Sequence, residues 1–242
     1  NSPFLLYLIL VPLVGALALF LIPSESIQLI KVVALNVSLF TYIASLFLWI
    51  GFDASSPNFQ YLYQADWMPY GNLYFTLGID GISLFFIILS TLLVPICIML
   101  GWSSITMYIR EYMVALLILD AMMIAVFSTL DLLLFYVCFE AVLIPMFVII
   151  GVWGSRARRI RAAYQFFLYT FLGSVLMLLA ILMMYFQAGT TDLQILLTTE
   201  FSTQRQILYF LAFFASFAAK VPMIPVHIWL PEAHVEAPTA GS

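Results

Sequence analysis

Apolar residues run through this chain in long blocks, not in the short alternations of a soluble protein. Seven blocks cover residues 4–22, 28–50, 82–101, 112–130, 131–153, 164–187 and 206–221. A helix rises ~1.5 Å per residue and the hydrocarbon core of a bilayer is ~30 Å thick, so each block predicts a transmembrane helix. The first block has no basic lead and exceeds the apolar core of a signal peptide, which makes it a retained span. Only residues 51–78 form a long polar connection, and their aromatic side chains suit a membrane interface. The fourth and fifth blocks meet at Asp131, which predicts a tight antiparallel helix pair. The pattern predicts an all-α, polytopic transmembrane helix bundle of about seven spans, a single domain over 1–242. No soluble domain, low-complexity tract or short-period repeat is visible.

Composition agrees with the pattern. Of 242 residues, 65% are hydrophobic and 8% are charged, with mean hydropathy +1.12. A soluble chain of this length would lack the polar side chains to cover its surface. The net charge of −4 then says little about partners. Cys97 and Cys138 both lie in apolar stretches without metal-ligand spacing, and read as small buried hydrophobes.

The eight basic residues orient the bundle. With the N-terminus outside, Lys31, Arg110, Arg156, Arg158, Arg159 and Arg161 fall inside, only Arg205 falls outside, and Lys220 lies at a span end, as the positive-inside rule requires. The cluster GSRARRIR also has the chemistry of a lipid-headgroup or partner site.

Charges within the blocks need a separate account, because a carboxylate in mid-helix costs at least ~2.5 kcal/mol on the most lenient insertion scale. Asp120 precedes Asp131 by 11 residues and Glu140 follows it by 9. Both therefore lie ~14–17 Å below one membrane surface, on neighbouring helices. Lys220 falls near the same depth in the seventh block. Pro145 follows Glu140 by five residues (EAVLIP) and Pro225 follows Lys220 by five (KVPMIP). Each proline deprives the carbonyl four residues earlier, at Ala141 or Val221, of its helical partner, and Pro222 does the same to Ala218. The charges thus sit at weakened points, and the seventh helix is predicted to be broken. Broken helices at the bilayer midplane are a recurring device of ion transporters, and free carbonyls favour a nearby cation.

Blander roles are open to every one of these residues. Glu140 could bind a neighbouring helix, Lys220 could snorkel from a span end, and Asp120 could serve packing alone. His227 and His234, in PVHIWLPEAHVEAP, could be interfacial loop residues. A metal site from His227, Glu232, His234 and Glu236 is disfavoured, because the intervening prolines give no regular ligand face. The residues themselves point to a channel or transporter unit for protons or small cations. The competing class is a non-transporting membrane scaffold.

Three stretches carry a family resemblance: LDLLLFYVCFEAVLIPM (130–146), YQFFLYTFLGSVLML (164–178) and FFASFAAKVPMIPVHIWLPEAHVEAPTAGS (213–242). They resemble the chain 4 family of NADH:quinone oxidoreductase, antiporter-like membrane subunits of respiratory complex I. DLQILLTTEFS and LPEAHVEAP look most like mitochondrially encoded members from plants and related eukaryotes. The cation/proton antiporter relatives are similar but less close.

The resemblance implies that Glu140 and Lys220 form an ion pair in a proton-transfer path, with His227 and His234 beside it. Asp120 occupies a position where the family usually has glutamate. It implies no NADH, FMN, iron–sulfur or ubiquinone site in this chain, those groups belonging to other subunits, and no motif for one is found. It implies a multi-pass protein of the mitochondrial inner membrane, with other membrane-arm subunits and lipids as partners and no nucleic acid. Family members carry about fourteen spans in inverted repeats, and residues 112–242 correspond to most of the first repeat. This sequence carries seven and reaches PTAGS where the eighth helix would begin. A second polypeptide bearing the remaining spans and a mid-membrane lysine is therefore expected.

Overall fold

Backbone N–H and C=O groups have no water to bond in hydrocarbon, so each apolar block satisfies them internally as helix. In a computed structural model that describes residues 3–68, 73–154 and 159–220, with Ala233, His234, Pro238 and Ser242, helices occupy all seven blocks. They are α1 (Phe4–Phe20), α2 (Ile27–Ile50), α3 (Gly81–Leu100), α4 (Ile109–Ser128), the pair α5 (Leu132–Ala141) and α6 (Leu143–Trp153), α7 (Arg159–Ala188) and α9 (Thr203–Lys220). A single turn, α8 (Leu193–Leu196), lies between the last two. Among the described residues, five spans are long and apolar enough to cross a membrane: α2, α3, α4, the α5–α6 pair and α7. Helix α1, at 17 residues, is shorter but apolar, and α9 opens on the polar TQRQ. The break expected in the seventh helix at Pro222 and Pro225 lies outside the described residues.

One expectation is corrected. Residues 51–78 are not merely a loop: β1 (Gln60–Met68) and β2 (Leu73–Ile79) form an antiparallel hairpin, with Tyr63 opposite Leu77 and Ala65 opposite Phe75. A hairpin lets a segment at the membrane boundary satisfy much of its own backbone. Leu77 and Ile79 of β2 are fully buried in a cluster with Leu5, Leu8, Leu48, Leu84 and Ile124, so the hairpin caps one end of the bundle.

Links on that end are stitched together. The Leu130 N–H donates to the Thr76 carbonyl at 2.9 Å, and the Leu132 N–H donates to the Thr191 carbonyl at 2.9 Å. Asp131 caps α5, one carboxylate oxygen accepting from the Leu133 and Leu134 amides at 2.9 and 3.0 Å. Its other oxygen accepts from the Thr191 hydroxyl at 2.7 Å. Asp131→Ala removes both the cap and this tie, and should lower stability by ~1–2 kcal/mol, with Asp131→Asn losing less. Chemical denaturation of the purified protein in detergent measures the difference. Burial lifts the Asp131 carboxyl above its ordinary value of 3.8, although Thr191 and the two amides pull the other way. The folded chain then binds this proton more tightly than the unfolded chain does. Stability should therefore fall as pH rises from about 4 through the raised value, and Asp131→Asn should flatten that limb.

Basic residues gather at the opposite end. Lys31 donates to the Trp102 carbonyl, and Arg110 to the Ile22 carbonyl at 3.3 Å. The α1–α2 and α3–α4 links therefore share one end, and the hairpin, α4–α5 and α7–α8 links share the other. Helix α4 sits between, packed against α1, α2, α3, α5 and α6.

Candidate functional site

Helix α5 stops one residue after Glu140. Val142, which keeps helical dihedrals (φ −64°, ψ −30°), marks the junction, and α6 begins at Leu143. The cause is Pro145, which cannot donate to the Ala141 carbonyl and is tolerated because the break places it in the first turn of α6. The weakened point expected beside Glu140 thus coincides with the junction of α5 and α6 within one span.

Lys220 is the last residue of α9, and its position depends on how closely α9 approaches α7. Gly173 makes that approach possible. A Cβ added there would stand 2.8 Å from the Ala219 Cβ and 3.4 Å from the Ala215 carbonyl oxygen. Small residues at such crossings are how membrane helices pack without a hydrophobic driving force between them. The contact also aligns the site, because Ser174 follows Gly173 and Lys220 follows Ala219.

Glu140 and Lys220 are brought close enough for their charges to interact. Yet Lys220 makes no ion pair within 4.0 Å among the described residues. The expected direct pair is replaced by a cation–π contact, the Lys220 Nζ lying 4.3 Å from the centroid of the Phe139 ring. Phe139 precedes Glu140, so its ring competes for the ammonium beside the carboxylate. Lys220 also lines a groove of about 300 Å³ with Phe86, Leu89, Phe127, Phe139 and Val142. Glu140 Oε1 is buried with no hydrogen-bond partner among the described residues. The Ser174 hydroxyl of α7 faces the same carboxylate.

Asp120 stands apart. It is fully buried in α4, among residues that include Leu116, Leu117, Ala121 and Ile124. Neither of its carboxylate oxygens has a partner among the described residues. Matched depth did not translate into contact. Among the described residues no cluster of His, Cys, Asp and Glu is arranged to hold a metal. His234 is exposed, and its carbonyl accepts from the Ser242 hydroxyl at 3.2 Å. His227 lies outside the described residues.

Sequence reasoning missed Phe139, Ser174 and Tyr136, whose hydroxyl also faces Ser174. A signal was present, since Thr170 and Ser174 are spaced for one face of an apolar helix.

Known proteins share this fold and sequence. Residues 129–242 match the transmembrane family described as NADH:quinone oxidoreductase/Mrp antiporter. NADH-ubiquinone oxidoreductase chain 4 of Arabidopsis thaliana is 66% identical over 235 residues, covering 97% of this chain and 48% of that protein. Chain 4 of Marchantia polymorpha is 62% identical over 235 residues, with the same coverage. The chain spans about half the length of these relatives. A chain of respiratory complex I from Thermus thermophilus superposes with a TM-score of 0.84 at 28% identity, over 96% of this chain and 47% of that one. A chain of the Mrp complex from a Dietzia species shares the fold, with a TM-score of 0.79 at 17% identity over 96% of this chain and 25% of that one. In fold and sequence this chain is similar to half of an NADH-ubiquinone oxidoreductase chain 4, and its residues 129–242 belong to the NADH:quinone oxidoreductase/Mrp antiporter transmembrane family.

Proposed function

We propose that this chain is half of a proton-translocating membrane subunit of respiratory complex I in the mitochondrial inner membrane. The observation that carries the reading is the Glu140–Lys220 arrangement. Opposite charges sit at membrane depth on separate helices, one just before the α5–α6 junction, with a carboxylate oxygen left unpartnered among the described residues. A structural ion pair would be closed and fully satisfied, because desolvated charges are costly otherwise. An open pair can change its separation.

Two opposite charges 4 Å apart attract by ~4 kcal/mol at an effective dielectric of 20. When the Lys220 ammonium approaches, Glu140 releases a proton; when it withdraws onto the Phe139 ring, Glu140 takes one up. Driving that movement from elsewhere in the complex would turn charge displacement into proton transfer. His227 and His234 would continue the path on one side, and Asp120 would serve as a buried relay or reserve group in α4. The other half of a chain-4-like subunit, on the same or a second polypeptide, would complete the path, and neighbouring membrane-arm subunits and lipids would surround it. NADH oxidation and ubiquinone reduction would take place in other subunits.

A double-mutant cycle tests the pair. Glu140→Gln, Lys220→Met and the double variant should show a coupling of ~1–3 kcal/mol in the proton-translocation rate of the intact complex. Independent effects would remove the pair from the mechanism.

A further inference from the structure

We propose that a groove between α4 and α6 binds one ethanolamine phospholipid, with the headgroup at the Arg110–Glu111 pair and one acyl chain lying along α4. Nothing in this site depends on proton movement at Glu140.

The groove holds about 320 Å³ of space. One wall is Ala115, Ile118 and Met122 of α4, and the other is Ile144, Pro145 and Val148 of α6. All six are apolar, and Ile144 is 62% exposed, so the groove opens to the outside of the bundle. A second cavity of about 340 Å³ lies over the start of α4, and its lining includes the polar Ser24, Thr106, Tyr108 and Arg110. Glu111 lines both cavities, so they meet at its side chain. An apolar slot running into a polar chamber has the shape of an amphiphile.

Its dimensions agree with a lipid. Glu111 and Met122 are 11 residues apart, which is ~16 Å of helix rise. One leaflet of a ~30 Å hydrocarbon core is about 15 Å deep, so the slot runs the course of one acyl chain. Spread over that length, the space is far narrower than a helix ~10 Å across. The level of the mouth is marked independently by Trp153, at the end of α6. Its ring packs edge-on against Tyr112, with centroids 5.3 Å apart, and its Nε1–H donates to the Met107 carbonyl at 2.6 Å. Tryptophan at a helix end favours the headgroup level of a bilayer.

Arg110 and Glu111 select the headgroup. They lie 3.3 Å apart with side chains 24% and 42% exposed, so both are open to a ligand. Arg110 also donates to the Ile22 carbonyl at 3.3 Å, which holds the guanidinium against the α1–α2 link. A guanidinium is a fork of donors for a phosphate, and a carboxylate accepts from an ammonium. A zwitterionic headgroup whose amine carries N–H groups satisfies both at once. A choline headgroup has no N–H to give Glu111, and an anionic headgroup sets like charge against it. Bound this way, the chain reaches Ala141, which lines the far end of the groove, and seals that flank of the α5–α6 junction with hydrocarbon.

The test uses the intact complex in nanodiscs containing trace ethanolamine phospholipid with a photoactivatable group at the end of one acyl chain. Cross-linked peptides are mapped by mass spectrometry, and label should concentrate at 118–122 and 141–148. Excess unlabelled ethanolamine phospholipid should lower that label at least ~10-fold, while excess choline or anionic glycerol phospholipid should leave it within about twofold. Glu111→Gln and Arg110→Gln should each lower it about 10-fold, the loss expected with one charge-assisted hydrogen bond. Glu111→Gln, on an exposed side chain, decides the matter if Arg110→Gln does not assemble. Ala115→Phe fills the slot and should abolish the label in a complex that keeps its quinone reductase activity. Equal competition by all three lipids overturns the proposal, since the groove then holds bulk lipid without selection. Label absent from both segments overturns it too, because another polypeptide then covers the groove. Unchanged label in Glu111→Gln removes the headgroup site and the proposal with it.

Discussion

Replacing Glu140 with glutamine should abolish redox-driven proton translocation, or reduce it by at least ~100-fold, while leaving α5 inserted and folded. Glutamine keeps the size of the side chain and its ability to bond Ser174, but it carries no exchangeable acidic proton. Removing a buried charge also removes a desolvation penalty, so the variant should be no less stable than the wild type. That combination separates function from packing. A residue needed only to hold helices together would lose stability and activity in parallel. Dye-reported acidification in proteoliposomes, with quinone reductase activity and thermal unfolding measured on the same preparation, gives all the quantities. Normal translocation would take Glu140 out of the mechanism and leave the scaffold reading.

Gly173→Leu should have the second largest effect, although Gly173 carries no chemistry. Even a single Cβ there meets the Ala219 Cβ at 2.8 Å, and the Ala215 carbonyl and Ser216 Cα lie at 3.4 and 3.6 Å. Nothing on the α9 side is the far end of a flexible side chain, so the helices themselves must separate. Overpacking of this kind costs ~1–3 kcal/mol. Because Lys220 follows Ala219 directly, the wedge also moves the ammonium off the Phe139 ring and away from Glu140. Gly173→Leu should therefore lower the unfolding midpoint and abolish the coupling between Glu140 and Lys220 in the double-mutant cycle. Gly173→Ala should do both to a smaller degree. A variant that unfolds earlier but keeps the full coupling would show that α7–α9 packing does not set the site.

The residues that matter were legible to different depths. Glu140 stood out from sequence because a carboxylate in an apolar block has few innocent explanations, and Pro145 marked the break that divides α5 from α6. Lys220 stood out for the same reason. Asp120 was equally visible, but depth along a helix says nothing about direction around it. The structure buries Asp120 fully, with neither carboxylate oxygen partnered among the described residues. Phe139 and Tyr136 were hidden among many aromatic residues, 17% of the chain, so no single ring could be singled out. The hairpin at 60–79 was passed over because its apolar positions are short and mixed with polar ones, and the longer helical blocks around it dominate the pattern.

By itself, the sequence determined that this chain crosses a membrane as helices, roughly where each helix begins and ends, which end faces the basic side, and where ionisable groups lie in depth. These properties depend on transfer free energy and hydrogen-bond satisfaction, which are set locally and summed along a segment. Only the tertiary structure decided which faces meet. It put Lys220 over the Phe139 ring, with no ion pair within 4.0 Å among the described residues, and left both Asp120 carboxylate oxygens without a partner among those residues. Those outcomes depend on the rotation of one helix about its axis against another, and at α7–α9 a contact as small as the absent Cβ of Gly173 sets it. No local property of the chain encodes that angle; it follows from close packing between segments far apart in sequence.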